Sequence, residues 1–380
     1  MHRREGAIKE QGGLCMTKVQ RELLQLLASR LFCEKVIISA SEGIKDEAKK
    51  QGVLGLVDSC AYENIYYNAK VIHAHGCLYN ILENIPYVII KGYASAYYYR
   101  EPYLRSMGDV DFLIHPEDMS KVDAILRQNG FVFNHETELH KCYEKNGIVF
   151  EAHKTVNGIP QTYRHEKEFV CSIFDTSRTI SCQSGNMIIP DDYHEGLICL
   201  FHIVEHLIST GIGVRHLCDW ACYISHIDNL DELLGKELKE SGLWEFARLL
   251  SLVCVKYLNV QYRSWMGNAG DELLEQLIDE FLLSGNMGRN RKPEDEWLIV
   301  YKGSKGQVRQ FFSSLASATK LHWPITDKCK FLIPVGCMFF GLKYLINIIK
   351  GKHEIVNFQK LSKEARKRNR MYRELRLFRK

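Results

Sequence analysis

The chain has no C-x-x-C pair, no internal repeat, no clean apolar run of membrane-spanning length and little net charge. Its 13 cysteines are odd in number and scattered, which argues against a disulfide framework or a zinc knuckle. They read as reduced thiols in a cytoplasmic protein, with Cys218 and Cys222 as small buried hydrophobes on one helical face. A formal charge of +4 is too small to imply nucleic acid by itself. Phe331 to Phe340 is apolar, but Pro334, Gly336 and then Lys343 interrupt it. It falls short of the ~20 residues a spanning helix needs. The opening residues, M-H-R-R-E-G-A-I-K-E, lack an apolar segment and are not read as a signal peptide. Met16 begins a clean amphipathic stretch, so residues 1–15 are read as an extension.

What is present is ordinary globular material: 380 residues, 46% hydrophobic and 25% charged, enough for two cores. Leucine spacing predicts a helix from Thr17 to about Cys33, and two more follow over Lys45 to Cys60 and Ala61 to Glu83. Strands are predicted at Tyr87 to Ile90, Asp109 to Ile114, Phe131 to Phe133, Leu139 to Tyr143 and Ile148 to His153. Asn146-Gly147 turns between the last two. Pro190-Asp191-Asp192 marks a change to an almost wholly helical pattern, with helices starting near His194, Val214, Leu230, Trp244 and Asp271. The expected organisation is an extension and helical lead-in over 1–60, a core over 61–188, a helical domain over 189–350 and a basic tail over 351–380. Residues 350–380 hold twelve Lys or Arg against three Glu. A solvated helix, contact with RNA phosphates and contact with anionic lipid are three readings of that tail.

The stretch around which the chain is organised runs from Pro86 to Ile114. Asp109 and Asp111 are two apart in a strand, so both carboxylates share a face while Val110, Phe112 and Ile114 point into the core. Two acids held that close repel unless a cation lies between them, and a divalent ion is the economical explanation. Glu151 stands in the apolar strand I-V-F-E-A-H, where an unpaired acid is costly to bury, and alternation puts it on one face with Val149 and His153. Three acids would complete a two-ion site for in-line displacement, with Glu151 placed to accept the proton of an incoming hydroxyl. Lys91, Arg100 and Arg105 supply cations for phosphate, and Gly92 allows close approach of the chain. The plainer alternative makes D-V-D a strand-edge turn, Glu151 an ion-pair partner, and the arginines solvated loop charges.

Lys91-Gly92-x-Ala94, then Pro102, Arg105, Gly108, Asp109, Asp111 and Leu113, then Glu151-x-His153, resembles the bacterial "uncharacterised nucleotidyltransferase" family of the polymerase-β-like nucleotidyltransferase superfamily. The resemblance covers roughly residues 20–260 and extends through His206, Arg215 and Asp219. It implies an α+β fold: a mixed-sheet nucleotidyltransferase core flanked by helices, followed by a mostly α-helical C-terminal domain. It also implies Mg²⁺ (or Mn²⁺) and transfer of a nucleoside monophosphate from an NTP such as ATP to an acceptor hydroxyl on a small molecule, RNA or protein. Asp109, Asp111 and Glu151 are then the metal and catalytic residues, with Lys91, Gly92, Arg105 and Gly108 at the nucleotide. His153, His206 and Arg215 line the acceptor side or the cleft. One departure stands out: Gly92 is followed by Tyr93, where the superfamily prefers a small residue. An inactive nucleotidyltransferase-fold scaffold is therefore kept as an alternative. A further one is a zinc hydrolase using His202-x-x-Glu205-His206, a motif that arises easily in a chain with 15 histidines.

Overall fold

The computed structural model describes residues 16–32, 40–58, 61–160, 162–209 and 211–286, with short pieces at 319, 323, 330–339, 342, 370–375 and 377. Four helices lead in: α1 (Lys18–Phe32), α2 (Glu42–Gln51), α3 (Leu54–Val57) and α4 (Tyr62–Ile81). The sequence predicts one helix over Lys45 to Cys60. The chain instead breaks at Gly52, whose φ of 71° is a left-handed cap, and restarts as α3.

The sheet-bearing half follows with β1 (Tyr87–Ile89), α5 (Tyr93–Ala96), β2 (Asp109–Ile114), α6 (Met119–Gln128), β3 (Val132–Glu136), β4 (His140–Lys145) and β5 (Ile148–His153). The sheet order is β1-β2-β5-β4-β3, with β2 and β5 parallel and the other pairs antiparallel. Asn146 and Gly147, at φ 55° and 73°, make the two-residue turn that joins β4 to β5. Next come α7 (Glu166–Thr176) and a separate hairpin, β6 (Arg178–Cys182) with β7 (Gly185–Ile189). None of these three is among the elements that the sequence predicts.

The helical half comprises α8 (Asp192–Ile208), α9 (Val214–Ser225), α10 (Leu230–Ser241), α11 (Trp244–Leu258) and α12 (Asp271–Ser284), each close to its predicted span. Asp191 caps α8 by accepting from the His194 N–H at 2.9 Å.

Two apolar cores hold these layers. Val110, Phe112 and Ile114 pack with Ile148, Phe150 and Ala152 and with residues of α4 and α6. On the opposite face of β2, Leu113 joins a larger core built from α1 and the helical half. The two-residue period that buries Leu113 there puts Asp109 and Asp111 on the same face.

Most of the basic tail lies outside the described residues. In the described part Met371 and Leu375 are buried and the Tyr372 hydroxyl donates to the Leu207 carbonyl at 2.8 Å. Among the described residues no helix is long and apolar enough to cross a membrane. Phe331, Val335, Met338 and Phe339 are exposed.

Candidate active site

Between the sheet and the α8–α9 pair lies a cleft of about 260 Å³. Lys91, Gly92, Arg105, Gly108, Asp109, Asp111, Glu151, His206 and Arg215 all line it. His153 lies fully buried beneath, with Nε2 2.7 Å from Asp111 Oδ1 and 3.2 Å from Glu151 Oε2. Asp111 pairs in register with Glu151 across the parallel ladder. As a result, Asp109, Asp111 and Glu151 each present a carboxylate oxygen within 4.8 Å of the other two.

The acids are only partly compensated. Burial opposes ionisation of Asp111, but Lys91 and His153 outweigh it and lower its pKa. The Lys91 ammonium donates to Asp111 Oδ1 at 3.3 Å. Burial works against that ammonium too, yet Asp111 and Asp109 keep its pKa raised. Asp109 receives less: the charge on Asp111, and then burial, push its pKa up to about 6. Hard oxygen donors with an uncancelled negative charge suit Mg²⁺ or Mn²⁺.

Local backbone geometry is specialised here. Lys91 and Gly92 both have positive φ, 60° and 44°. A left-handed lysine costs of order 1–3 kcal/mol, and such strain concentrates at functional sites. A Cβ on Gly92 would come within 2.8 Å of His75 Nε2, so glycine is required twice over. Tyr93 is buried and is not among the cleft-lining residues, so it does not fill the cleft. Ser95, two residues on, brings a hydroxyl to the lining instead and donates to Glu195 Oε1 at 2.8 Å.

Arg105 is engaged within the protein. Its Nε and Nη2 donate to the two Asp219 oxygens at 2.7 and 2.8 Å, and Tyr99 donates to the same carboxylate at 2.7 Å. Asp219 therefore pairs with Arg105, not Arg215. Arg215 meets neutral partners: Asn286 Oδ1 at 3.2 Å, the Ser106 carbonyl at 3.5 Å and His216 Nε2 at 3.3 Å. Burial, and then Arg105, lower its pKa.

Sequence reasoning missed Ser95, Glu195, His75, Asn157 and His216. Burial raises the Glu195 pKa to about 8, and burial holds His75 neutral with a pKa near 4. Asn157 lines the cleft with a buried, unpartnered Oδ1.

Residues 44–259, more than half the chain, match the family described as uncharacterised nucleotidyltransferase. The chain belongs to that family. No curated protein matches it. A solved nucleotidyltransferase-like antigenic protein from Paracoccidioides brasiliensis aligns over 51% of this chain and 95% of its own, at 15% identity and a TM-score of 0.31. That likeness is too slight to carry an argument. The family's α+β architecture, a mixed sheet with flanking helices, is the one described above.

Elsewhere in this family member, Ser172 Oγ lies 2.9 Å from His194 Nε2, and His194 Nδ1 lies 2.7 Å from Asp191 Oδ1. The spacing imitates a hydrolytic triad. However, Ser172 also reaches the Phe169 carbonyl at 2.9 Å, Asp191 caps α8, and none of the three lines the cleft. The cluster is a helix-cap network.

Proposed function

We propose that this protein is a divalent-metal-dependent nucleotidyltransferase that moves a nucleoside monophosphate from an NTP to an acceptor hydroxyl. The observation that carries the reading is the convergence of Asp109, Asp111 and Glu151 at one cleft wall, facing Arg215 on the other. Mg²⁺ or Mn²⁺, held by those three carboxylates, would supply charge neutralisation on the triphosphate and alignment of the attacking and leaving oxygens.

The chain's own residues do the rest. The acceptor oxygen attacks the α-phosphorus, the bond from that phosphorus to the bridging oxygen breaks, and pyrophosphate leaves. Glu151, half-buried at the cleft, takes the hydroxyl proton. Lys91 holds Asp111 ionised and directs positive charge at the phosphates. Arg215, with no carboxylate within 4.0 Å among the described residues, is the cation whose charge is available to pyrophosphate. Arg105 acts one step back by holding Asp219 and the α9 wall. Gly92 and Gly108 let the chain approach the nucleotide closely.

The test is a screen of the four α-labelled NTPs with Mg²⁺ or Mn²⁺ against a cell extract. Label incorporated by the wild type and not by Asp109→Asn supports the reading. Equal labelling by both proteins contradicts it.

A further inference from the structure

The two walls of the cleft differ in donor chemistry. The sheet offers carboxylates, whereas α8 and α9 offer imidazoles. His202 and His206 are four apart on α8 and so share a face, with ring centroids 4.4 Å apart. His216, near the start of α9, stands 5.2 and 5.4 Å from them. One ring nitrogen of each lies within 4.8 Å of the other two, and all three rings line the cleft.

A cluster of packed aromatic rings needs no nitrogen. Here, however, the Nδ1 atoms of His202 and His216 are buried without a hydrogen-bond partner, and His216 is only 1% exposed. Orphaned polar atoms of this kind are rare, and a bound ion is one of their ordinary explanations. Burial also lowers the proton affinity of all three rings, which favours the neutral imidazole that a metal ion binds.

We propose that His202, His206 and His216 bind a divalent transition-metal ion of the zinc class, at a site separate from the acidic triad. Imidazole suits such ions, as carboxylate oxygens suit Mg²⁺ and Mn²⁺. Zinc–nitrogen bonds near 2.0–2.1 Å in tetrahedral geometry put ligand nitrogens roughly 3.3 Å apart. Closing from 4.8 Å is within reach of side-chain rotation. The ion pins α8 to α9, the helices that carry Glu205, Arg215 and Asp219 to the cleft. Three protein ligands leave a fourth position for water or a polar substrate atom. Arg215 Nη2 donates to His216 Nε2 at 3.3 Å, so an ion taken at His216 Nδ1 moves the ring proton to Nε2 and displaces the arginine from that contact.

The experiment loads the full chain, stripped by chelator, with Zn²⁺ and measures bound zinc after dialysis. Co²⁺ absorption serves as a second readout of nitrogen-rich tetrahedral coordination. Wild type, Asp109→Asn and His140→Ala are expected to retain one zinc per chain. His216→Ala and His202→Ala are expected to bind it at least tenfold more weakly. His206→Gln, similar in size and at a half-buried position, provides the same readout if the alanine variants do not fold. Retention of zinc by the folded His216 or His206 variants overturns the proposal. So does its loss in Asp109→Asn, or in His140→Ala, which would move the ion to the neighbouring His140–Glu151–His153 group. A wild type that holds no zinc at micromolar free metal overturns it outright.

Discussion

Asp111 and Glu151 are register partners on the parallel strands β2 and β5. A slip of one residue would send Glu151 to the opposite face, so the ladder itself fixes the acidic site. The two aspartates of that site are electrostatically unlike. Asp111 is compensated by Lys91 and His153, whereas Asp109 is repelled by Asp111.

Their asparagine variants should therefore shift stability in opposite directions. Asp111→Asn leaves buried cationic groups unpaired and should cost about 2–4 kcal/mol. Asp109→Asn removes repulsion and should stabilise the metal-free protein at pH 7 by about 1–2 kcal/mol, allowing for solvent screening. The sign follows from linkage: with its pKa raised from 3.8 to about 6, Asp109 costs stability as pH rises through that window. The gain in Asp109→Asn should accordingly vanish by pH 4. Thermal melts of both variants across pH check this, and both should lose nucleotidyl transfer by ~10²-fold or more.

Arg105 and Asp219 form a buried bidentate pair, 4% and 5% exposed. Asp219→Ala strands a guanidinium in the core and should cost about 3–5 kcal/mol in urea unfolding. Replacing both partners with apolar residues of similar volume should recover most of that loss. Recovery of stability without recovery of nucleotide binding would separate packing from charge.

Much of this fold was legible because its signals are periodic. Alternation located β2 and β5 and put Asp109, Asp111, Glu151 and His153 on the correct faces, and Asn146-Gly147 marked the hairpin turn. Helical spacing located α8 to α12 to within a few residues. The missing parts depend on tertiary geometry. His216 matters because of how α9 crosses α8, and His75 because Gly92 turns over it. Arg105 pairs with Asp219, 114 residues away, a contact that spacing along the chain does not reveal. The β6–β7 hairpin, R-T-I-S-C-Q-S-G-N-M-I-I, carries only a short alternation around Ser-Gly, and Pro190-Asp191-Asp192 directly after it is the stronger local signal.

The Lys91–Gly92 turn makes a steric prediction. Gly92→Ala adds a Cβ 2.8 Å from His75 Nε2 at a φ of 44° and should cost about 1–3 kcal/mol. Adding His75→Ala should relieve the contact but not the backbone share. Gly108→Ala, with nothing within 4 Å, should stay within about 0.5 kcal/mol of wild type. Chemical denaturation of the three variants checks the order.

Glu195 makes stability depend on pH from the opposite wall. Its pKa rises from 4.5 to about 8 because burial penalises the carboxylate. The folded state thus binds the extra proton, and stability should fall as pH climbs from about 4.5 to about 8, by a few kcal/mol. Glu195→Gln should flatten that slope over the same window while keeping a group that Ser95 can bond.

The most direct measurement is calorimetric titration of Mn²⁺ into the full chain with a non-hydrolysable NTP present. Wild type should bind saturably, and Asp109→Asn and Glu151→Gln should each bind at least ~10²-fold more weakly. A wild type that takes up no Mn²⁺, or variants that match it, would contradict the acidic site as the seat of the chemistry.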